Sequence, residues 1–293
     1  MLHHILVRRH RGTAVVCFTT LLIAGSSAFL AHARPASAAK PNVVTVVATD
    51  YAFQAPDTLP AGRTAFRLVN RGPDLHHVWL VRLPNGKSVA DVATAMQQPG
   101  SLPAWVVEVG GPNTPMPGGE SNATLTLEPG RYAMMCAIPA PDGQRHFMKG
   151  MMKEITVVPA TAAQLASMRA GDAEPRPNVV MTLSDYDFVV STPITAGRRT
   201  IRIRNAAAQT HEVLLARLAP GATAQQFLAF IEKPSGPPPG EAVGGITGLT
   251  QGRENDITVA FTKGDYALIC FVPDAKDGKP HVAHGMIKQF RVE

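Results

Sequence analysis

Four residues with metal-binding side chains occur twice in this 293-residue sequence, in the same order and at nearly the same spacing. The first set is His76, Cys136, His146 and Met151, and the second set is His211, Cys270, His281 and Met286. Two imidazoles, one thiolate and one thioether are the ligands of a mononuclear type 1 copper site, in which methionine is a weak axial ligand. The sequence therefore predicts two copper ions, one bound by each set.

Both sets lie within a longer internal repeat with an offset of about 135 positions, and a long fixed period of this kind indicates repeated structural units. The repeat extends beyond the ligands, because Asp50-Tyr51-x-Phe53 corresponds to Asp185-Tyr186-x-Phe188. Each repeat has about 115 residues, which is long enough to bury its own core. We therefore predict two tandem domains, residues 40–158 and 178–293, joined by a linker over residues 159–177 that contains a helical turn.

Runs of β-branched and aromatic residues, broken by Pro, Gly and Asn, follow one another through both repeats. This pattern predicts many short strands, and short strands with frequent turns are typical of a Greek-key β-sandwich. We predict an all-β fold of two tandem sandwiches, each with one short helix, at Ser88–Gln97 and at Thr223–Glu232. In this arrangement Cys136 ends one strand, Met151 begins the next, and His146 lies in the loop between them.

Three motifs recur in both repeats, namely Asn-x5-His, Gly-x-Tyr-x3-Cys and His-x4-Met followed by an alternating strand. They resemble the motifs of the cupredoxins, the family of small blue copper proteins that includes plastocyanin and azurin. The resemblance covers each repeat nearly end to end. It implies one copper site in each repeat, with the ligands given above, and it implies that Asn70 and Asn205 tie the two ligand-bearing loops together. One departure is the interval between the cysteine and the second histidine, which is longer here than in the small electron carriers of that family.

The first 39 residues have the order of a secretory signal peptide. Arg8, Arg9 and Arg11 precede an apolar run from Thr13 to Leu30, and small residues follow it. The alternative is an uncleaved N-terminal membrane anchor. We therefore expect an exported protein, periplasmic or extracellular, with no membrane contact after cleavage. The formal net charge of +6 falls by three when the arginines before Leu30 are removed, and no cluster of Lys or Arg stands out, so nucleic-acid binding is not expected.

Only two cysteines, Cys136 and Cys270, remain after cleavage, and they occupy equivalent positions in the repeats. An exported protein without a cysteine pair inside either domain is not a disulfide scaffold. This favours a ligand role over the alternatives, which are an inert buried thiol and a disulfide between the domains. His77 aligns with Glu212, so we expect His77 to be a surface residue rather than a ligand.

The sequence lacks the adjacent histidine motifs of related copper enzymes. Multicopper oxidases and copper nitrite reductases need His-x-His pairs and a His-Cys-His run for their catalytic copper, whereas Ala137 and Phe271 follow the cysteines here. We therefore expect that the protein is not an enzyme. The leading hypothesis is an exported one-electron carrier with two type 1 copper sites and redox partner proteins. The alternatives are a copper handling or storage protein and a cupredoxin scaffold within a larger redox assembly.

Overall fold

The computed structural model describes residues 40–98, 102–170 and 176–293, so the predicted signal peptide over residues 1–39 lies outside the described part of the chain. The strands of the first repeat are β1 Asn42–Thr49, β2 Ala52–Gln54, β3 Thr58–Pro60, β4 Gly62–Asn70, β5 Trp79–Leu83, β6 Val107–Gly110, β7 Glu120–Leu127, β8 Gly130–Met135 and β9 Met152–Val158. Those of the second repeat are β10 Val179–Ser184, β11 Asp187–Val190, β12 Gly197–Asn205, β13 His211–Leu218, β14 Gly240–Leu249, β15 Glu254–Phe261, β16 Gly264–Ile269 and β17 Ile287–Val292. The helices are α1 Val89–Ala95, α2 Ala162–Ala170 and α3 Ala224–Glu232, with two 3-10 helices at His146–Lys149 and His281–His284.

The strands form where hydrophobic and polar residues alternate. Every second side chain of β10 is buried, because successive residues of a strand point to opposite faces of the sheet. The helix of each repeat begins at a capping box. At α1 the Ser88 side chain accepts a hydrogen bond from the backbone N–H of Asp91, and the Asp91 carboxylate accepts one from the backbone N–H of Ser88. The predicted all-β fold with one short helix in each repeat is confirmed, and the segment predicted as a linker contains the additional helix α2.

Two sheets run through both repeats. Their strand orders are β11-β10-β12-β15-β7-β4-β1-β2 and β17-β16-β13-β14-β6-β5-β8-β9-β3. The repeats meet where β15 pairs with β7, with Asp256 opposite Thr124, and where β14 pairs with β6, with Leu249 opposite Val109. Both sheets are therefore continuous from one repeat to the other. The domain boundaries given above stay a prediction.

Local sequence preference does not predict the ten-residue strand β14. It contains four glycines, which are depleted in strands because they have no side chain to pack. The structure gives Gly245 a role, because its φ of 116° lies in a region that L-residues rarely adopt and its α-carbon lies against the carbonyl oxygen of Val213. The irregular pairing of β13 with β14 thus depends on glycine at this position.

Each repeat has a hydrophobic core to which both sheets contribute. The first core includes Phe66, Leu80 and Ile155 and also the predicted ligands Cys136 and Met151. The second core likewise contains Cys270 and Met286, together with residues such as Phe188 and Leu215. Two smaller clusters lie beneath α1 and α3. The cysteine and methionine of each set are therefore held by close packing.

A tyrosine anchors the strand that leads to each cysteine. The Tyr132 hydroxyl donates to the carbonyl oxygen of Glu128 at 2.9 Å, and the Tyr266 hydroxyl donates to that of Thr262 at 3.1 Å. Both tyrosine rings are buried, so each hydrogen bond fixes the turn before β8 or β16 to the core. Among the described residues, no helix combines the length and the apolar character needed to cross a membrane.

Candidate metal centres

The structure brings together the four residues predicted as the first ligand set. His76 lies in the loop between β4 and β5, and Cys136 follows directly after β8. His146 begins a 3-10 helix, and Met151 lies directly before β9. All four side chains are 0% exposed. The predicted order of strand, loop and strand around Cys136, His146 and Met151 is therefore present, and all four side chains are shielded from solvent.

The donor atoms of the first set converge. The Nδ1 atoms of His76 and His146 lie 3.1 Å apart, and the Cys136 Sγ lies 3.4 Å from the His146 Nδ1. The three donors lie within 4.8 Å of one another. Ligands bound at about 2.0–2.3 Å in a trigonal plane lie about 3.5–4 Å apart. The spacing is therefore close to that of a three-coordinate metal plane.

The second set repeats this geometry. The Cys270 Sγ lies 3.4 Å from the Nδ1 of His281 and 3.9 Å from the Nδ1 of His211. These three donors again lie within 4.8 Å of one another. All four residues of the set, including Met286, are 0% exposed. Both sets therefore offer the same atoms, two Nδ1 nitrogens and one sulfur, to a common centre.

Backbone hydrogen bonds fix the cysteine, the second histidine and the methionine of each set relative to one another. In the first set the Cys136 N–H donates to the Met151 carbonyl at 3.2 Å, and the Met151 N–H donates to the His146 carbonyl at 3.0 Å. The second set has the same two bonds at the same distances. The glycine before each methionine has a positive φ, 101° at Gly150 and 92° at Gly285, which lets the 3-10 helix end there. This explains why Gly precedes Met in both His-x4-Met motifs.

The far nitrogen of each first histidine is held by an aspartate that lies outside the metal-binding motifs. His76 Nε2 lies 2.6 Å from Asp50 Oδ1, and His211 Nε2 lies 2.9 Å from Asp185 Oδ1. A hydrogen bond of this kind fixes the proton on Nε2 and leaves Nδ1 free to bind a metal. The signal in the sequence is the recurrence of Asp-Tyr-x-Phe in both repeats.

The far nitrogen of each second histidine also faces a carboxylate. His146 Nε2 lies 3.7 Å from Asp74 Oδ2, and His281 Nε2 lies 3.7 Å from Asp274 Oδ2. Both Nε2 atoms are buried and make no hydrogen bond to another described residue. A tyrosine hydroxyl donates to each of these carboxylates, from Tyr51 to Asp74 at 3.2 Å and from Tyr186 to Asp274 at 2.5 Å.

Burial sets the protonation of the donor atoms. Burial and the neighbouring His76 lower the pKa of His146 to about 4, and burial and His211 lower the pKa of His281 to about 4. The imidazoles are therefore neutral near pH 7, which is the form that binds metals. Burial raises the pKa of the Cys136 thiol to about 12 and also raises that of Cys270. Metal binding must therefore displace a proton from each thiol.

The resemblance implies that Asn70 and Asn205 tie two ligand loops together. In the structure each of them fixes only the loop before the first histidine. The Asn70 side chain donates to the Asp74 carbonyl at 2.8 Å and to the Pro115 carbonyl at 3.4 Å. Asn205 donates to the Gln209 and Leu249 carbonyls, both at 2.7 Å. Each amide therefore braces the loop before the first histidine against the neighbouring segment of chain, and neither hydrogen bond reaches the loop between cysteine and methionine.

The prediction that His77 is a surface residue is wrong. The side chain is only 8% exposed, and its Nε2 accepts a hydrogen bond at 2.9 Å from the backbone N–H of Ala137. Its counterpart Glu212 accepts the equivalent bond at 3.0 Å from the N–H of Phe271. A histidine in one repeat and a glutamate in the other thus accept a hydrogen bond from the backbone N–H of the residue after the cysteine. Because the two residue types differ, the alignment of the repeats does not reveal this shared role. His77 donates no atom to the metal-binding group that contains His76.

The residues present fit copper. Two neutral imidazoles and a buried thiol, whose donor atoms converge within 4.8 Å, are the types of donor that lie in the plane of a type 1 site. A methionine packed in the same core as the cysteine supplies the thioether that distinguishes this donor set from the usual zinc sets. The chemistry of the donors therefore agrees with the metal predicted from the sequence.

No protein-family model matches the sequence, and no curated protein matches it. Among solved structures, the chain is similar to the dithionite-reduced auracyanin of Roseiflexus castenholzii, with 23% identity over 41% of this chain and 99% of that chain and a TM-score of 0.30. It is also similar to the copper nitrite reductase of Nitrosomonas europaea, with 13% identity over 87% of this chain and 94% of that chain and a TM-score of 0.26. A multicopper oxidase matches with 12% identity over 86% of this chain and 88% of that chain and a TM-score of 0.25. The predicted cupredoxin-like β-sandwich architecture is confirmed by the two sheets of the chain itself.

The prediction that the protein is not an enzyme is contradicted by these similarities. The structures that match 86–87% of the chain include a multicopper oxidase, copper nitrite reductases and a laccase, which are enzymes. The prediction depends on the absence of histidine motifs whose members are adjacent in sequence. A catalytic centre can also be assembled from residues that are distant in sequence, so the absence of these motifs does not exclude one.

Proposed function

We propose that this protein is an exported copper protein with two type 1 sites, one bound by His76, Cys136, His146 and Met151 and the other by His211, Cys270, His281 and Met286. We further propose that it transfers single electrons between redox partner proteins. The observation that carries the proposal is the convergence of two Nδ1 atoms and one Sγ atom in each of two buried groups. The same donor set on both repeats is what a two-centre electron carrier requires.

Bound copper would supply one-electron exchange between Cu(II) and Cu(I). The protein residues would keep the donors in nearly the same positions in both oxidation states, because backbone hydrogen bonds join Cys136 to Met151 and Met151 to His146. A small change in geometry makes electron transfer fast. Burial of the four donors would also exclude water and protect the thiolate from oxidation.

The burial of the donors favours electron transfer over copper handling. A protein that passes copper to a partner must let the partner's ligands reach the metal, and all eight predicted ligands are 0% exposed. An electron needs no such opening. Export to the periplasm or to the outside of the cell remains part of the proposal, and it depends on the signal-peptide pattern of residues 1–39.

The proposal is tested by loading the protein with Cu(II), counting copper per chain and recording optical and electron paramagnetic resonance spectra. We expect two coppers and an intense visible thiolate-to-copper band that disappears on reduction and returns on oxidation. Cys136→Ala and Cys270→Ala should each remove one copper and part of the band, and the double variant should remove both. Met148→Ala is the control, because Met148 is an exposed residue of the 3-10 helix that begins at His146.

Two results would contradict the proposal. A colourless protein with weakly held copper would support copper handling or a scaffold instead. A coloured protein whose band survives both cysteine substitutions would show that the colour arises from another site.

A further inference from the structure

The two sites take one of their carboxylates from different loops. Asp74 lies two residues before His76, whereas Asp274 lies four residues after Cys270. In the alignment of the repeats, Asp74 corresponds to Gln209 and Asp274 corresponds to Ala140. The two carboxylates therefore reach their positions without being equivalent in the repeat, and common sequence alone does not account for their presence in both sites.

The two carboxylates nevertheless have the same surroundings. Each has an Oδ2 atom 3.7 Å from the buried Nε2 of the second histidine, which makes no hydrogen bond to another described residue. Each also accepts a hydrogen bond from a tyrosine, and Tyr51 and Tyr186 are equivalent in the repeat. A separation of 3.7 Å is too long for a hydrogen bond. Each carboxylate therefore acts on the histidine through its charge.

We infer that Asp74 and Asp274 are positioning residues for the second histidines, and that their negative charge lowers the reduction potential of each copper site. This inference rests on the proposed function. A negative charge near the metal stabilises the more positively charged Cu(II) state relative to Cu(I). The same charge favours the imidazole tautomer with its proton on Nε2, which leaves Nδ1 free to face the copper.

The structure also predicts a difference between the two sites. The Asp74 side chain is 22% exposed, whereas that of Asp274 is 1% exposed and is additionally held by Gln209 Nε2 at 3.1 Å. Water screens the field of an exposed charge more strongly than that of a buried charge. The charge of Asp274 should therefore affect its site more than the charge of Asp74 affects the first site.

The experiment measures the reduction potentials of both sites in the copper-loaded full chain by spectroelectrochemical titration. Asp274→Asn keeps the size of the side chain and removes the charge. We expect the potential of the second site to rise while that of the first site stays unchanged, so that each molecule contains its own reference. Asp74→Asn should raise the potential of the first site by a smaller amount. The matched control is Asp277→Asn, in the same loop. The Asp277 carboxylate lies within 4.8 Å of that of Asp274 but contacts the exposed His284 at 3.1 Å, so its loss should raise the potential by less than Asp274→Asn does.

Moving the carboxylate to another loop shows whether the change in potential comes from the lost charge or from lost contacts within the loop of Asp274. Asp274→Ala combined with Gln209→Asp gives the second site the arrangement of the first, with the carboxylate before the first histidine. The potential should return toward the original value in the combined variant but not in Asp274→Ala alone. Loss of a loop contact would not be repaired by a substitution in another loop.

A second readout needs no metal. Nitrogen NMR of the metal-free protein reports which nitrogen of His281 carries the proton, and Asp274→Asn should reduce the population of the Nε2–H tautomer. The inference is overturned if the potential of the second site does not move in Asp274→Asn, if Asp277→Asn moves it equally, or if the relocated carboxylate restores nothing. Failure of the proposed function would be distinct, because the wild-type protein would then lack the visible band altogether.

Discussion

Glu108 is a buried carboxyl group whose substitution should make the protein more stable at alkaline pH. It lies on β6, is 7% exposed and accepts a hydrogen bond at 2.8 Å from the Trp79 indole N–H. Burial raises its pKa from 4.5 to about 7, although the hydrogen bonds from Trp79 and Thr210 act in the opposite direction. The folded protein therefore retains a proton that the unfolded chain has already lost between these two pH values.

The sign and the size of the effect follow from this difference. Because the folded state binds the proton more tightly, the free energy of unfolding decreases as the pH rises from about 4.5 to about 7 and then levels off. The gap between 4.5 and about 7, at about 1.4 kcal/mol per pH unit, corresponds to about 3 kcal/mol. Glu108→Gln keeps the shape and the acceptor for Trp79 but cannot ionise, so it lacks this loss of stability.

The assay is urea denaturation of the metal-free wild type and of Glu108→Gln at pH 4.5 and at pH 8. Relative to the wild type, the variant should gain about 3 kcal/mol between the two pH values. Burial raises the pKa of Glu212 to about 7 as well, and the charge of Glu108 adds to that rise. Glu108→Gln should therefore also lower the pKa of Glu212, which changes the stability in the same direction as the loss of the Glu108 charge. Glu232→Gln is the control for replacing any glutamate by glutamine, because Glu232 lies at an exposed position of α3. An equal difference between wild type and variant at both pH values would refute the reasoning.

Two further predictions concern the contacts that hold the repeats and strands together. Asp256, on β15, is buried and pairs with Arg63 of the first repeat at 2.5 Å and with Arg202 at 2.9 Å. Asp256→Ala should lower the free energy of unfolding in urea by about 2–3 kcal/mol, because it removes the buried carboxylate that both arginines share. An effect below about 0.5 kcal/mol, the usual range for surface substitutions, would contradict this. Gly245→Ala should prevent recovery of soluble folded protein, because the new methyl group would overlap the Val213 carbonyl oxygen. The control is Gly221→Ala, with a φ of 79° and open space around it, which should lower the free energy of unfolding by only about 1 kcal/mol. Equal stability of the two alanine variants would show that the overlap is relieved at little cost.

The donor sets could be predicted from the sequence because the repeat isolates them. A single His, Cys or Met gives little information, but the same four residue types at the same spacing in two repeats identify both groups, and the structure brings together His76, Cys136 and His146 as expected. Long alternating strands such as β10 could also be predicted. The strand β14 could not, because Gly240 and Gly245 allow close approaches to the β13 backbone that local sequence preference does not reveal.

The surroundings of the donors were less accessible to sequence reasoning. Asp74 and Asp274 occupy non-equivalent positions, so comparison of the repeats places neither of them beside a histidine. His77 and Glu212 share a structural role but not a residue type. In both cases the three-dimensional arrangement is the same in the two repeats while the residues that produce it differ. Such features can be found only from interatomic distances.

The continuity of the two sheets bears on strand pairing between separate molecules. In an isolated repeat, β6 and β7 would each be an outermost strand with backbone N–H and C=O groups open to another chain. Such strands promote aggregation and strand exchange. Here β14 and β15 cover them, and the Asn122 side chain adds hydrogen bonds to the backbone N–H and carbonyl of Thr258 at 2.8 and 2.7 Å. Because the two repeats are joined in one polypeptide, these strand edges pair within the molecule. Separate copies would have to pair them with each other.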